Sequence, residues 1–145
     1  MVDTDGALFR AELDPRDSCT LNISDKRVAL PNLGPLHSIL LLGRKILASS
    51  SNGKLHLIKT EARGVALSLL QSYDIEQLLR TCTDTKLKGA FYMTTPKLIH
   101  ANDKVCSIGC ILRRVGGENR RKGGVPAILR ITGAAHDLDL LLLSE

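Results

Sequence analysis

Apolar residues recur at every second position over much of this chain, in short runs separated by turn-forming residues, which is the pattern of half-buried strands. Ala7, Phe9, Ala11 and Leu13 alternate along one run, and Cys19, Leu21 and Ile23 along the next, with the Asp14-Pro15 break between them. Pro31, Gly34 and Pro35 mark a loop. Residues 36–60, LHSILLLGRKILASSSNGKLHLIKT, hold three apolar runs broken at Gly43 and at Ser51-Asn52-Gly53. Asn-Gly favours the positive φ of a tight hairpin turn, so a meander is expected in which 45–49 pair with 54–60.

Beyond this meander, residues 65–70 fit either a buried strand or the start of a helix. Asp74 is a candidate N-cap with Gln77 three residues on, and Ile75, Leu78, Leu79 and Cys82 share a helical face, which predicts one short helix ending before Asp84. Residues 86–93 and 97–101 read as two strands around Thr95-Pro96. Asn102-Asp103 then turns the chain into a long strand over 104–114, and 125–132 and 138–143 complete the set. No internal repeat is visible. These elements predict one α+β domain over residues 1–145, mainly antiparallel β, built as a sandwich or strongly curled sheet with one or two short helices. A chain of 145 residues can bury a sizeable core without disulfide or metal staples.

Composition narrows the class. The chain is 43% hydrophobic and 24% charged, which argues against disorder, and its longest unbroken apolar runs, such as 140–143, are far below a membrane span. The first 25 residues are acidic and lack the order of a signal peptide. The four cysteines are therefore expected as reduced thiols in an intracellular protein, cytoplasmic or nuclear, that meets membranes only peripherally. Trp is absent and the aromatics are Phe9, Tyr73, Phe91 and Tyr92, too few for the stacking platforms with which single-stranded nucleic acids are read. Binding of nucleic acid, where it occurs, should be led by phosphate contacts.

Charge is the most uneven property of the chain. Residues 113–130, RRVGGENRRKGGVPAILR, carry Arg113, Arg114, Arg120, Arg121, Lys122 and Arg130 against Glu118, a local excess equal to the +5 of the whole chain. A second basic zone, 26–63, holds Lys26, Arg27, Arg44, Lys45, Lys54, Lys59 and Arg63 against one acid, while 1–25 and 131–145 are acidic. Paired glycines at 116–117 and 123–124 let the backbone of the first zone bend and approach a ligand, so the loop is either a polyanion contact or a solvated hairpin tip. It is not a P-loop, because Lys122 precedes Gly123 and strand-like sequence follows. The candidate polyanion-binding residues are Arg113, Arg114, Arg120, Arg121, Lys122 and Arg130, with Arg44, Lys45, Lys54, Lys59 and Arg63 in support.

Other chemistry is sparse. Cys106 and Cys110 would share a face of a strand, as small buried hydrophobes more readily than metal ligands, and no Cys-x-x-Cys pair is present. His56, between Leu55 and Leu57, should point to the opposite, solvent-facing side. Neither a Gly-x-Ser-x-Gly elbow nor a His-Glu-x-x-His motif occurs, and no cofactor is implied. The terminal run at 138–143 is either a last strand closing the sheet or an apolar tail inserted into a neighbouring subunit.

Residues 36–60 alone resemble part of a β-propeller blade, but one blade cannot close a propeller. In length, charge, strand content and its two basic zones, the chain as a whole resembles the small matrix proteins of non-segmented negative-strand RNA viruses, of the bornavirus and nyavirus type. That resemblance implies a non-enzymatic, self-assembling protein that contacts an anionic lipid surface, joins it to RNA or ribonucleoprotein with little sequence specificity, and enters the virion. The Pro-Pro-x-Tyr and Pro-Thr/Ser-Ala-Pro budding motifs are absent. A cellular RNA-binding module contacting phosphates through 113–130 is the alternative, and a small enzyme a third reading that would need a pocket of converging His, Cys or carboxylate groups.

Overall fold

The computed structural model describes residues 11–13, 21–23, 33, 35–60, 67–82, 89–116, 124–132 and 137–143. A short antiparallel pair, β1 (Ala11–Leu13) with β2 (Leu21–Ile23), precedes two four-stranded antiparallel sheets. The first sheet is a meander of β3 (Leu36–Leu42), β4 (Lys45–Ser50), β5 (Lys54–Thr60) and β6 (Leu67–Asp74). After helix α1 (Ile75–Cys82), β7 (Phe91–Ala101), β8 (Val105–Arg114), β9 (Val125–Thr132) and β10 (Asp137–Leu142) form a second meander. The fold is α+β and mainly antiparallel β, with a single α-helix among the described residues.

The two sheets bury their facing sides in one another, because alternate residues of each strand are apolar on that side. Leu47, Leu55 and Leu57 from the first sheet meet Phe91, Met93, Ile108, Leu112, Leu129 and Leu140 from the second, and Ile75 and Leu79 of α1 complete this cluster. β3 and β4 lie against β7, and α1 lies against β10. Ser49, fully buried in β4, donates a hydrogen bond of 3.1 Å to the Met93 carbonyl on β7. Gly53 is needed at its turn: its φ is +92°, and a Cβ there would sit 2.8 Å from the Phe91 carbonyl oxygen.

The middle of the first sheet's second face is also dry. Ile46, Ala48 and Ile58 on that side are buried in a cluster with Leu33 and Leu36. This reverses the expectation for His56, which is 2% exposed instead of facing solvent. Alternation put its side chain on the face opposite Leu55 and Leu57; only the cover on that face was not foreseen.

Elsewhere β4 pairs with β5 from Lys45↔Lys59 to Ser49↔Leu55, as the Asn-Gly turn predicts. The open choice at 65–70 resolves to strand from Leu67, which pairs with Thr60. Helix α1 begins where expected, with the Asp74 carboxylate accepting the Glu76 amide at 3.0 Å. Thr95-Pro96 does not divide two strands; β7 runs through it, with Thr95 at φ 46° and irregular pairing between Thr94 and Lys97. Proline is tolerated there because β7 is an edge strand, whose outward N–H groups need no ladder partner. The terminal run is the closing strand: β10 pairs with β9, and Leu140 is 2% exposed in the core.

Candidate polyanion-binding surfaces

The strands carry seven of the described basic residues to opposite ends of the sandwich, while Lys97 lies in mid-strand on β7 and Arg80 on α1. At one end the β3–β4 turn presents Arg44, followed by Lys45, which sits directly across from Lys59 on β5. Like charges directly opposite each other across a ladder are destabilising. The β7–β8 turn, Asn102 to Lys104, adjoins the same end and adds Lys104. This turn is firmly built: the Asn102 side-chain oxygen accepts the amides of Lys104 and Val105, each at 2.8 Å, and the Asn102 amide donates to the Val105 carbonyl at 2.9 Å.

The opposite end carries Lys54, Arg113 and Arg114. Lys54 follows Gly53, whose backbone lies against Phe91 and Val115, and Phe91 pairs with Arg114 across β7 and β8. The Arg114 guanidinium carbon lies 5.0 Å from the centroid of the Phe91 ring, a cation–π contact. Gly116 and Gly124 bound the loop at this end, and Arg120, Arg121 and Lys122 lie outside the described residues, as do Lys26, Arg27 and Arg63. Arg130 joins neither group. It stands on the outer face of the second sheet, paired with Asp139 of β10.

Between the two turns at the Arg44 end the sandwich opens into a cleft of about 380 Å³. Its walls are the last apolar inward-facing residues of both sheets, Leu42 and Leu57 on one side and Cys106 and Ile131 on the other, with Leu98 at the side. Among the described residues Arg44, Lys45 and Lys104 line it together with one acid, Asp103. Lys104 had no place among the sequence candidates: one lysine after an Asn-Asp turn carries no signal, and only the packing of the sheets sets it near Arg44.

The remaining chemistry is structural in character. His56 Nε2 lies 2.9 Å from the Leu33 carbonyl oxygen and Nδ1 lies 2.8 Å from Ser72 Oγ. A carbonyl only accepts, so the neutral ring carries its proton on Nε2 and takes the Ser72 hydroxyl at Nδ1. Burial lowers the His56 pKa, Lys54 lowers it further, and the bond to Leu33 opposes both. Cys110 is buried and its thiol is pushed up to about 11 by desolvation; Cys106, half-buried, is raised by the same cause. Among the described residues no group of three His, Cys, Asp or Glu is placed to hold a metal ion. Phe91 is buried in the core, and Tyr92 is half-buried, its ring in a T-shaped contact with His37 at 5.1 Å between centroids. No helix among the described residues is long and apolar enough to cross a membrane.

No protein family matches this chain, and no curated protein or solved structure matches it either.

Proposed function

We propose that this is a non-enzymatic, self-assembling protein that joins an anionic membrane surface to RNA or ribonucleoprotein, as the small viral matrix proteins it resembles would. The observation that carries the reading is the division of cations between the two ends of the strands. Ten residues of β8 separate Val105 from Arg114 by roughly 30 Å at about 3.4 Å per residue, whereas charge is screened within about 8 Å at physiological salt. The two ends therefore act as independent fields, and one molecule can hold two polyanions at once. Lys45, Lys59, Arg44 and Lys104 supply one end and Lys54, Arg113 and Arg114 the other, with Arg120, Arg121 and Lys122 next along the sequence from Arg113 and Arg114. Among the described aromatics Phe91 is buried and Tyr73 and Tyr92 are half-buried, which supports contact through phosphates, with little sequence preference.

The test is bridging. Phosphatidylglycerol vesicles should carry a random RNA into the pellet only when the protein is present, and the effect should fall steeply with salt. Reversing Lys45 and Lys59 to Glu, or Arg120, Arg121 and Lys122 to Glu, should abolish bridging while each variant still binds one polyanion. Bridging that survives both sets of changes refutes the two-ended reading. Binding of RNA without vesicles at any salt favours a cellular RNA-binding module instead.

A further inference from the structure

We propose that the cleft at the Arg44 end is a binding site for a single anionic amphiphile, with a hydrocarbon chain between the sheets and a carboxylate or phosphate head at the rim. The site shares its cations with the end that meets an anionic surface in the proposed function, and its choice of head-group charge rests on that reading. The chain's place follows from the shape of the sandwich. Inward-facing residues of both sheets normally close on one another, but here Leu42, Leu57, Cys106 and Ile131 border open space of about 380 Å³, within the usual range of small-molecule sites. Leu57 is fully buried and Ile131 is 8% exposed, so the cleft reaches the edge of the core.

Head-group chemistry follows from the rim. Among the described residues Arg44, Lys45 and Lys104 line the rim with Asp103, three cations to one acid, and Lys59 stands across the ladder from Lys45. A cationic ligand would be repelled here, and a neutral one would leave the rim unused. The ligand meets a prepared site, because the β7–β8 turn is already held by three hydrogen bonds and little ordering remains to be done on binding. The half-buried Cys106 thiol at the wall is a built-in reporter: a chain in the cleft covers it.

The experiment titrates the full chain with dodecanoate and with dodecyl phosphate below their micellar concentrations, beside dodecanol and dodecyltrimethylammonium. One equivalent of either anion should bind, with the alcohol and the cation at least tenfold weaker, and alkylation of Cys106 followed by peptide mapping should slow in step. Leu98→Gln, at an exposed wall position, should weaken both anions about fivefold, as loss of part of a leucine's burial requires. Lys104→Gln should weaken the anions and leave dodecanol unchanged. Melting curves of both variants must match the native protein. Equal binding of all four amphiphiles, or anion binding indifferent to both substitutions with Cys106 still reactive, overturns the proposal. Competition separates two sources of the ligand: dodecanoate that releases the protein from phosphatidylglycerol vesicles identifies bilayer lipid, and dodecanoate that binds without releasing it identifies a free fatty acid. Failure here is distinct from failure of the proposed function, because Leu98→Gln keeps every charge and should still bridge vesicles and RNA.

Discussion

His56→Ala offers the sharpest test of how the first sheet is covered. Removing the ring strands the Leu33 carbonyl, which is worth about 1–3 kcal/mol for a buried acceptor. The vacated space adds about 1–2 kcal/mol, less than the about 3–5 of a larger Phe→Ala change. Ser72 is exposed and turns to water at little cost. The loss should therefore be about 3 kcal/mol at pH 7.5, read from urea denaturation. The pH dependence then separates this account from simple loss of packing. Burial holds the folded His56 pKa below the unfolded value of 6.5, so the unfolded chain binds the proton more readily. The stabilisation is whole above about pH 6.5 and is lost as pH falls through the folded pKa. The native protein should lose this contribution on going from pH 7.5 to 5, the variant has none to lose, and the stability gap between them should narrow. A gap that stays constant or widens as pH falls would refute the buried, neutral imidazole.

Two substitutions and one labelling experiment extend the same reasoning. Gly53→Ala forces a Cβ against the Phe91 carbonyl at a φ of +92° and should cost about 1–3 kcal/mol by urea denaturation; Gly43→Ala, at φ +64° with open space around it, should cost less, and the reverse order would contradict the close approach at Gly53. Cys110, buried with its thiol near 11, should be alkylated at pH 8 at least tenfold more slowly than Cys106. Equal rates would mean that the shared core opens freely.

How much of this was legible in the sequence depends on the range of the interactions concerned. The β4–β5 hairpin was, because Asn52-Gly53 and the alternation around it are local, and so was the start of α1, where Asp74 meets the Glu76 amide two residues on. Thr95-Pro96 misled because proline breaks a central strand but not an edge strand, and whether β7 lies at an edge is decided by pairing order. His56 misled for a related reason: alternation gives the side of the sheet and not what lies over that side. The ends of the sandwich were least legible. Arg44 and Lys104 are sixty residues apart in sequence, and a list of basic residues holds no information that would group Arg44 with Lys104 yet set Arg113 at the far end, or pair Arg130 with Asp139. The cleft had no sequence signal, since its wall residues are ordinary core positions that happen to lie near one end of their strands.

The apolar terminal run bears on self-assembly in a way that the closing-strand arrangement changes. Leu138, Leu140 and Leu142 face the shared core, so deleting the run would remove a core strand. A truncated chain would lose about 1.5–3 kcal/mol for a fully buried leucine such as Leu140 and would report on folding more than on assembly. What the strand leaves outward is Leu141, 51% exposed, and just beyond it Leu143, 57% exposed; Ile99 on β7 is 60% exposed. The register sets Leu141 beside Ile128 and Ile128 beside Gly109, and seats the Ile99 side chain over Gly109. These residues make an apolar row across the outer face of the second sheet, with the Arg130–Asp139 pair on the adjoining row. A second copy applied to this face by a two-fold axis would bury the row against itself and place each Arg130–Asp139 pair near its mate, a self-complementary arrangement suited to a homodimer. The expected result is an oligomer by light scattering that Leu141→Lys converts to monomer with an unchanged melting temperature, since Leu141 contributes little to the core. Native protein that stays monomeric up to high concentration at low and moderate salt would remove self-assembly from the proposed function, and an oligomer indifferent to Leu141→Lys would move its interface elsewhere.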